Sequence, residues 1–300
     1  MPQTTATTTR QGILLMLLAI LLFTAMDAAA KGVIARYPVS QVVWARFAGQ
    51  ALIVALLLRG RIPSVLRTSY PGLHLIRSAC QLGATGFFFA SLPHIGLAEA
   101  TALTDINPIL ITLGAALFLG ERLGPRRILG VVLAMVGALI VIRPGFGVFT
   151  PAAVLPLCAA LCYSVNALLT RRLGPFESAW TPLLLAALFG AGVSSLTLPF
   201  VWQPIAENDL PIFVLIAFLG TGAQLCLVRA FTLAEAGAVA PFAYVGILFA
   251  TGWGIVLYDE WPDLATVIGA LVIVGAGLYV WHRETTVNVP GGNRHHKDAD

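Results

Sequence analysis

Ile128–Val141 reads ILGVVLAMVGALIV, and 139 residues further on Val267–Val280 reads VIGALVIVGAGLYV. Each is an apolar run carrying glycines at helical spacing and bounded by charge. At the same offset Gly130 answers Gly269, Gly120-Glu121 answers Asp259-Glu260, and Asp27 answers Asn166. Leu97-Ala98-Glu99-Ala100 recurs as Leu233-Ala234-Glu235-Ala236, three residues out of that register, so the two copies have drifted. Apolar helices resemble one another by chance, but paired acidic and glycine positions do not recur that way. The chain is an internal repeat.

Its solvent follows from composition. Hydrophobic residues make up 58% of the 300 and charged residues 11%, against about 25% charged in an ordinary soluble domain. About 20 apolar residues cross about 30 Å of hydrocarbon. Apolar runs punctuated by charge, Gly and Pro lie near 11–32, 40–59, 74–94, 97–119, 125–143, 151–171, 178–200, 210–231, 236–258 and 264–282. Five spans per half is an odd number, so the halves insert in opposite senses. This predicts an all-α polytopic membrane protein of ten transmembrane helices arranged as two inverted five-helix repeats. Residues 1–10 form a cytoplasmic segment, 11–143 and 144–283 the repeats, and 284–300 a polar, disordered cytoplasmic tail. Arg10, the run Ile13–Phe23 and Ala28-Ala29-Ala30 imitate a signal peptide. Because this segment has a counterpart in the second half, we read it as a retained first helix.

With the N-terminus inside, the eighteen Lys and Arg divide unevenly. Only Lys31, Arg36, Arg46 and Arg143 fall in the outer half, while Glu207, Asp209, Asp259, Glu260 and Asp263 line the outer loops. That bias satisfies the positive-inside rule and predicts a bacterial inner-membrane protein with both termini cytoplasmic.

Inverted repeats of this kind typify secondary transporters, whose solute site lies at the repeat interface near the midplane. Charge at that depth costs about 2.5–3.5 kcal/mol per residue on insertion scales, so each case needs a reason. Asp27 and Lys31 stand four apart on one helix face and can pair, with Arg46 near enough to join them. With Arg229 these are the candidate gating or coupling residues; a lid pair near the outer surface is the structural alternative. Asp105, followed by Asn107-Pro108, sits where a proline loosens a span and frees a carbonyl, and could bind an amino group or carry a proton. The alternative is a shallow Asp105 bonded to Thr101. Gln81, Tyr163, Asn166, Gln224 and Tyr244, with Trp44 and Phe88, complete the expected binding surface, a mixture suited to an amphipathic organic solute. Trp44 reads equally well as an interfacial anchor. Glu121 and Glu260 are expected to pair with a basic residue or to cap a helix start.

Several functions are set aside. HExxH and Gly-x-Ser-x-Gly are absent, and His94 is the only histidine expected at membrane depth, which argues against an enzyme. No phosphate-binding loop is present, so ATP does not drive transport directly. Cys80, Cys158, Cys162 and Cys226 lie in apolar runs; Cys158 and Cys162 share a face, but packing rather than metal is expected. No cofactor and no nucleic acid is called for. The partners are a small-molecule solute and the bilayer, the protein being a monomer or weak homodimer, with Gly130, Gly137, Gly269 and Gly277 offering close-packing faces.

The five-plus-five spans, Asn107-Pro108 with Leu119-Gly120-Glu121-Arg122, Arg229-Ala230, Ala240-Pro241-Phe242-Ala243-Tyr244 and Asp259-Glu260-Trp261-Pro262 resemble the EamA branch of the drug/metabolite transporter superfamily over residues 10–283. The resemblance implies a carrier whose cavity is lined by spans 1–4 and 6–9, with spans 5 and 10 peripheral. It implies outward movement of amino acids, including aromatic ones. Carriers of nucleotide sugars, S-adenosylmethionine and drugs are the alternatives in the same superfamily. A polyanionic nucleotide sugar would want more cavity cations than Lys31, Arg46 and Arg229. The second half departs from the first in having Ile247, not proline, thirteen residues before Glu260.

Overall fold

The computed structural model describes residues 6–107, 109–111, 113–114, 125–142, 151–173, 177–178, 180–233 and 240–287. Pro108, Leu119 to Arg122, Arg143, the Ala234-Glu235-Ala236 copy and the tail beyond residue 287 lie outside them. Among the described residues there is no strand, and each expected span contains a helix. These are α1 (Ala6–Ile34), α2 (Val39–Leu58), α3 (Pro71–Ser91), α4 (Leu97–Thr104) and α5 (Pro125–Ile142) in the first half. The second half contains α6 (Val154–Leu173), α7 (Trp180–Ser195), α8 (Leu210–Leu233), α9 (Val245–Tyr258) and α10 (Leu264–Val287). Local chemistry sets several ends. Proline opens α3, where its missing N–H costs nothing. Asp263 caps α10 by accepting from the Thr266 N–H at 2.8 Å. Asp259 ends α9 in the left-handed region at φ 54°. The helix α10 runs on to Val287, past the expected end of its span.

Among the described residues, four stretches, Arg10–Ile34, Val39–Leu66, Pro151–Thr170 and Leu210–Ala230, are long and apolar enough to cross a membrane. Shorter apolar helices, Ile128–Val141, Trp180–Ser195, Phe242–Tyr258 and Leu264–Tyr279, accompany them. Large side chains stand exposed on many helices, among them Leu248 at 70%, Val256 at 76% and Leu271 at 66%. In water so much exposed apolar surface would drive association; against lipid it costs nothing.

The helix packing carries the repeat. The helix α1 packs on α8 and α3 on α6; α2 packs on α8 and α3 on α7; α1 packs on α9 and α4 on α6. Each of these pairs becomes the other when every helix is exchanged for the one five places along. The remaining principal pairs, α2 with α7, α4 with α9 and α5 with α10, map onto themselves. This is the contact pattern of two halves related by a pseudo-two-fold axis. Gly137 and Gly269 bring the backbones of α5 and α10 together. A Cβ at Gly137 would lie 2.9 Å from the Gly269 carbonyl, and one at Gly269 would lie 2.7 Å from the Gly137 carbonyl.

The largest apolar core gathers Val33, Val42, Phe47, Phe89, Leu92, Leu97, Ile216 and others from both halves. It lies toward the end of the bundle where α1 ends and α4 begins. A second core joins Leu103, Ile106 and Ala134 to Ala160 and Ala276.

Candidate functional site

Span 4 breaks where the sequence places Asp105. The helix α4 ends at Thr104, Asp105 donates its backbone N–H to the Thr101 carbonyl at 2.9 Å, and helix resumes only at Asn107. Span 9, its mate across the axis, is also irregular: the tight 3₁₀ segment Ala240–Tyr244 precedes α9. Interrupted helices at membrane depth are tolerated where the freed groups face protein or a cavity. The Asp105 side chain makes no bond to Thr101, whose hydroxyl donates to the Leu97 carbonyl at 2.8 Å instead. Its charge reaches Tyr163 of α6 and Tyr244 of the second half. Ser164 donates to the Ala160 carbonyl at 2.7 Å and lies 3.4 Å from the Asn107 carbonyl. Tyr244 is buried, and its hydroxyl fits against the helix only because residue 277 is glycine: a Cβ there would lie 1.7 Å from that oxygen.

A second polar track crosses the bundle. Asp27 of α1 faces Arg46 of α2 electrostatically, and Arg46 donates to the Thr85 hydroxyl of α3. Thr85 donates to the Gln81 carbonyl at 3.1 Å, and the Gln81 side chain accepts from Asn166 of α6 at 2.9 Å. The residues at the two ends, Asp27 and Asn166, are those that match at the 139-residue offset. Arg46, 4% exposed, also lies over the Phe47 and Phe89 rings at 5.2 and 6.0 Å. Buried Asp105 Oδ2, Asn107 Oδ1, Asn166 Oδ1, Tyr244 Oη and Arg46 Nε have no hydrogen-bond partner among the described residues, a costly arrangement for groups withdrawn from water.

The end of the bundle where α1 ends and α4 begins is latched, and here one expectation is corrected. Lys31 pairs not with Asp27 but with Glu260 of the second half, at 2.5 Å, and donates to the Ile95 carbonyl at 2.9 Å. Glu260 also accepts the Leu97 N–H at 3.0 Å, capping the start of α4. Tyr258 donates to the Ala28 carbonyl at 2.5 Å. Beside this latch Asp209 takes Tyr37 and Arg36, each at 2.8 Å.

Other expected residues lie apart from these tracks. Trp44 faces α7, donating to Ser195 at 2.9 Å and meeting Trp202 edge-on at 5.9 Å. Phe88 is half-buried against the large core. Gln224 is half-buried on α8 with no hydrogen-bond partner among the described residues, and Arg229 is exposed. Glu121 lies outside the described residues.

Sequence reading missed the polar stripe of α3. His74, Ser78, Gln81 and Thr85 are all buried and recur at i, i+4, i+7 and i+11, one face of a helix. That spacing was the available signal. His74, not His94, is the deeply buried histidine, at 2% exposure, and meets Glu177 at 2.6 Å. Thr68 also donates to Glu177. Arg77, counted only as a cytoplasmic charge, crosses to Thr170 of α6 at 2.6 Å and the Pro182 carbonyl of α7 at 2.9 Å.

The model of the EamA-like transporter family matches residues 10–143 and again 150–281. The chain belongs to the EamA-like transporter family. The pseudopaline exporter CntI of Pseudomonas aeruginosa (strain UCBPP-PA14) is 30% identical over 273 residues, 89% of this chain and 94% of that one. A riboflavin transporter of Brucella anthropi is 30% identical over 73% of this chain and 80% of its own. An S-adenosylmethionine uptake transporter of Rickettsia bellii is 23% identical, covering 74% and 76%. A crystal structure with 21% identity shares the fold at a TM-score of 0.65, over 92% of this chain and 98% of that one. This EamA protein is therefore a multi-pass membrane transporter of small molecules, not an enzyme.

Proposed function

We propose that this EamA protein exports an amino acid or a solute with an amino-acid head group by alternating access of its two repeats. The observation that carries the reading is the set of buried groups where the halves meet, Asp105 Oδ2, Asn107 Oδ1, Asn166 Oδ1, Tyr244 Oη and Arg46 Nε, that have no hydrogen-bond partner among the described residues. Asp105 and Asp27 suit an ammonium group; Arg46 and Arg77 suit a carboxylate; Tyr163 and Tyr244 supply flat apolar surface. Outward movement is supported by the likeness to the pseudopaline exporter across nearly the whole chain. S-adenosylmethionine carries an amino-acid head of the same chemistry, so it is retained as the second reading, on the likeness to its uptake transporters. The charge bias of the loops supports two cytoplasmic termini, with residues 11–143 and 144–283 as the moving bodies.

The test is counterflow in proteoliposomes loaded in turn with aromatic and aliphatic amino acids, S-adenosylmethionine and riboflavin. Amino-acid exchange that falls at least about tenfold in Asp105→Asn, a loss typical of an unpaired charge at a binding site, supports the proposal. Exchange of riboflavin alone, or full exchange by Asp105→Asn, overturns it.

A further inference from the structure

The charge-rich end of α2 offers a site distinct from the transport path. The helix stops at Arg59, whose φ of 47° turns the chain sharply, and the short helix Ile62–Leu66 follows. A cleft of about 550 Å³ opens there, lined by Leu56, Leu57, Arg59, Arg61 and Trp180. A neighbouring cleft of about 370 Å³ shares Arg61 and Trp180 and adds Arg67 and the start of α7 at Ser178 and Thr181. Among the described residues, none of the guanidinium groups of Arg59, Arg61 and Arg67 is ion-paired. The acid that also faces the second cleft, Glu177, is already engaged by Thr68 and His74. Beside the arginines Leu52, Leu56 and Leu57 are 62%, 65% and 55% exposed, a continuous apolar wall running into the membrane.

We propose that these clefts hold the head group of an anionic phospholipid of the cytoplasmic leaflet, its phosphate on Arg59 and Arg61 and its acyl chains along Leu52, Leu56 and Leu57. A soluble anion would use the arginines but not the leucine wall; a neutral lipid would use the wall but leave the arginines uncompensated. Guanidinium groups match phosphate with paired donors, the N-terminus of α7 adds favourable dipole charge, and Trp180 sits as interfacial tryptophans do. The site is independent of the transported solute.

The test is native mass spectrometry of the purified full chain with phosphatidylglycerol and phosphatidylcholine in competition. Wild-type protein retains phosphatidylglycerol preferentially, and Arg59→Gln/Arg61→Gln lowers that preference by more than about tenfold, since each basic residue near the surface contributes roughly fivefold. Arg10→Gln/Arg172→Gln, which removes equal charge from the same end of the bundle, leaves it unchanged. In wild-type protein, photoactivatable phosphatidylglycerol labels the peptide spanning residues 52–67. The proposal is overturned if both double variants lose preference equally, if inorganic phosphate displaces the lipid, or if the label falls elsewhere.

Discussion

Arg46 and Asp27 illustrate how a charge is kept at membrane depth. Neither carboxylate nor guanidinium stands alone: each faces the other, and Arg46 adds Thr85 and two aromatic faces. Removing either charge strands its partner away from water, which costs more than removing both. We expect Asp27→Asn and Arg46→Gln each to lower thermal stability in detergent, and the double variant to lose less than their sum. A coupling of about 1–3 kcal/mol is expected; strictly additive losses would show that the pair does not act as a unit. At the opposite end of the bundle, Glu177 follows a pH rule. Burial raises its pKa, but hydrogen bonds from Thr68 and His74, the His74 charge and the Ser69 N–H outweigh that and hold it below the ordinary 4.5. A carboxylate depressed in the folded state stabilises above its unfolded pKa, and that contribution disappears as pH falls through the folded value. Glu177→Gln should therefore melt below wild type at neutral pH, with the gap closing on acidification below 4.5. A gap that stays constant across that range would contradict the pair.

At the scale of elements, close approach of α5 and α10 depends on two facing glycines. A valine at Gly137 would push its side chain into Ile273 and the Gly269 carbonyl. Gly137→Val or Gly269→Val should each cost about 1–3 kcal/mol through overpacking, read as a lower unfolding temperature. Unchanged melting would mean that the two helices separate freely. The glycine spacing foreshadowed close-packing faces on α5 and α10, but not that the two faces would meet each other. The break in span 4 was also legible, since a proline at 108 has no N–H to offer the carbonyl of Thr104, four residues back, where α4 ends. The α3 stripe was legible in principle but is diluted: its buried polar residues are separated by two or three residues, mostly apolar but including Arg77. The partner of Lys31 was not legible. Asp27 satisfied the local i, i+4 rule, whereas Glu260 is brought to it only by the packing of α1 against α9.

The whole molecule is tied more firmly at the end where α1 stops and α4 starts than local charge rules suggest. Lys31, Glu260, Ile95 and Leu97 join both halves there, above the core around Phe47, Phe89 and Ile216. For a carrier that alternates, this latch must open once per cycle, and the unpartnered groups at Asp105, Asn166 and Tyr244 must be reached from each side in turn. The most direct test joins the latch chemically. In a chain lacking its four native cysteines, Lys31→Cys and Glu260→Cys would be bridged by a short cleavable bis-maleimide, and amino-acid counterflow measured before and after cleavage. Counterflow that stops on cross-linking and returns on cleavage is the predicted result. Counterflow that continues at its full rate with the latch cross-linked would contradict alternating access through this site.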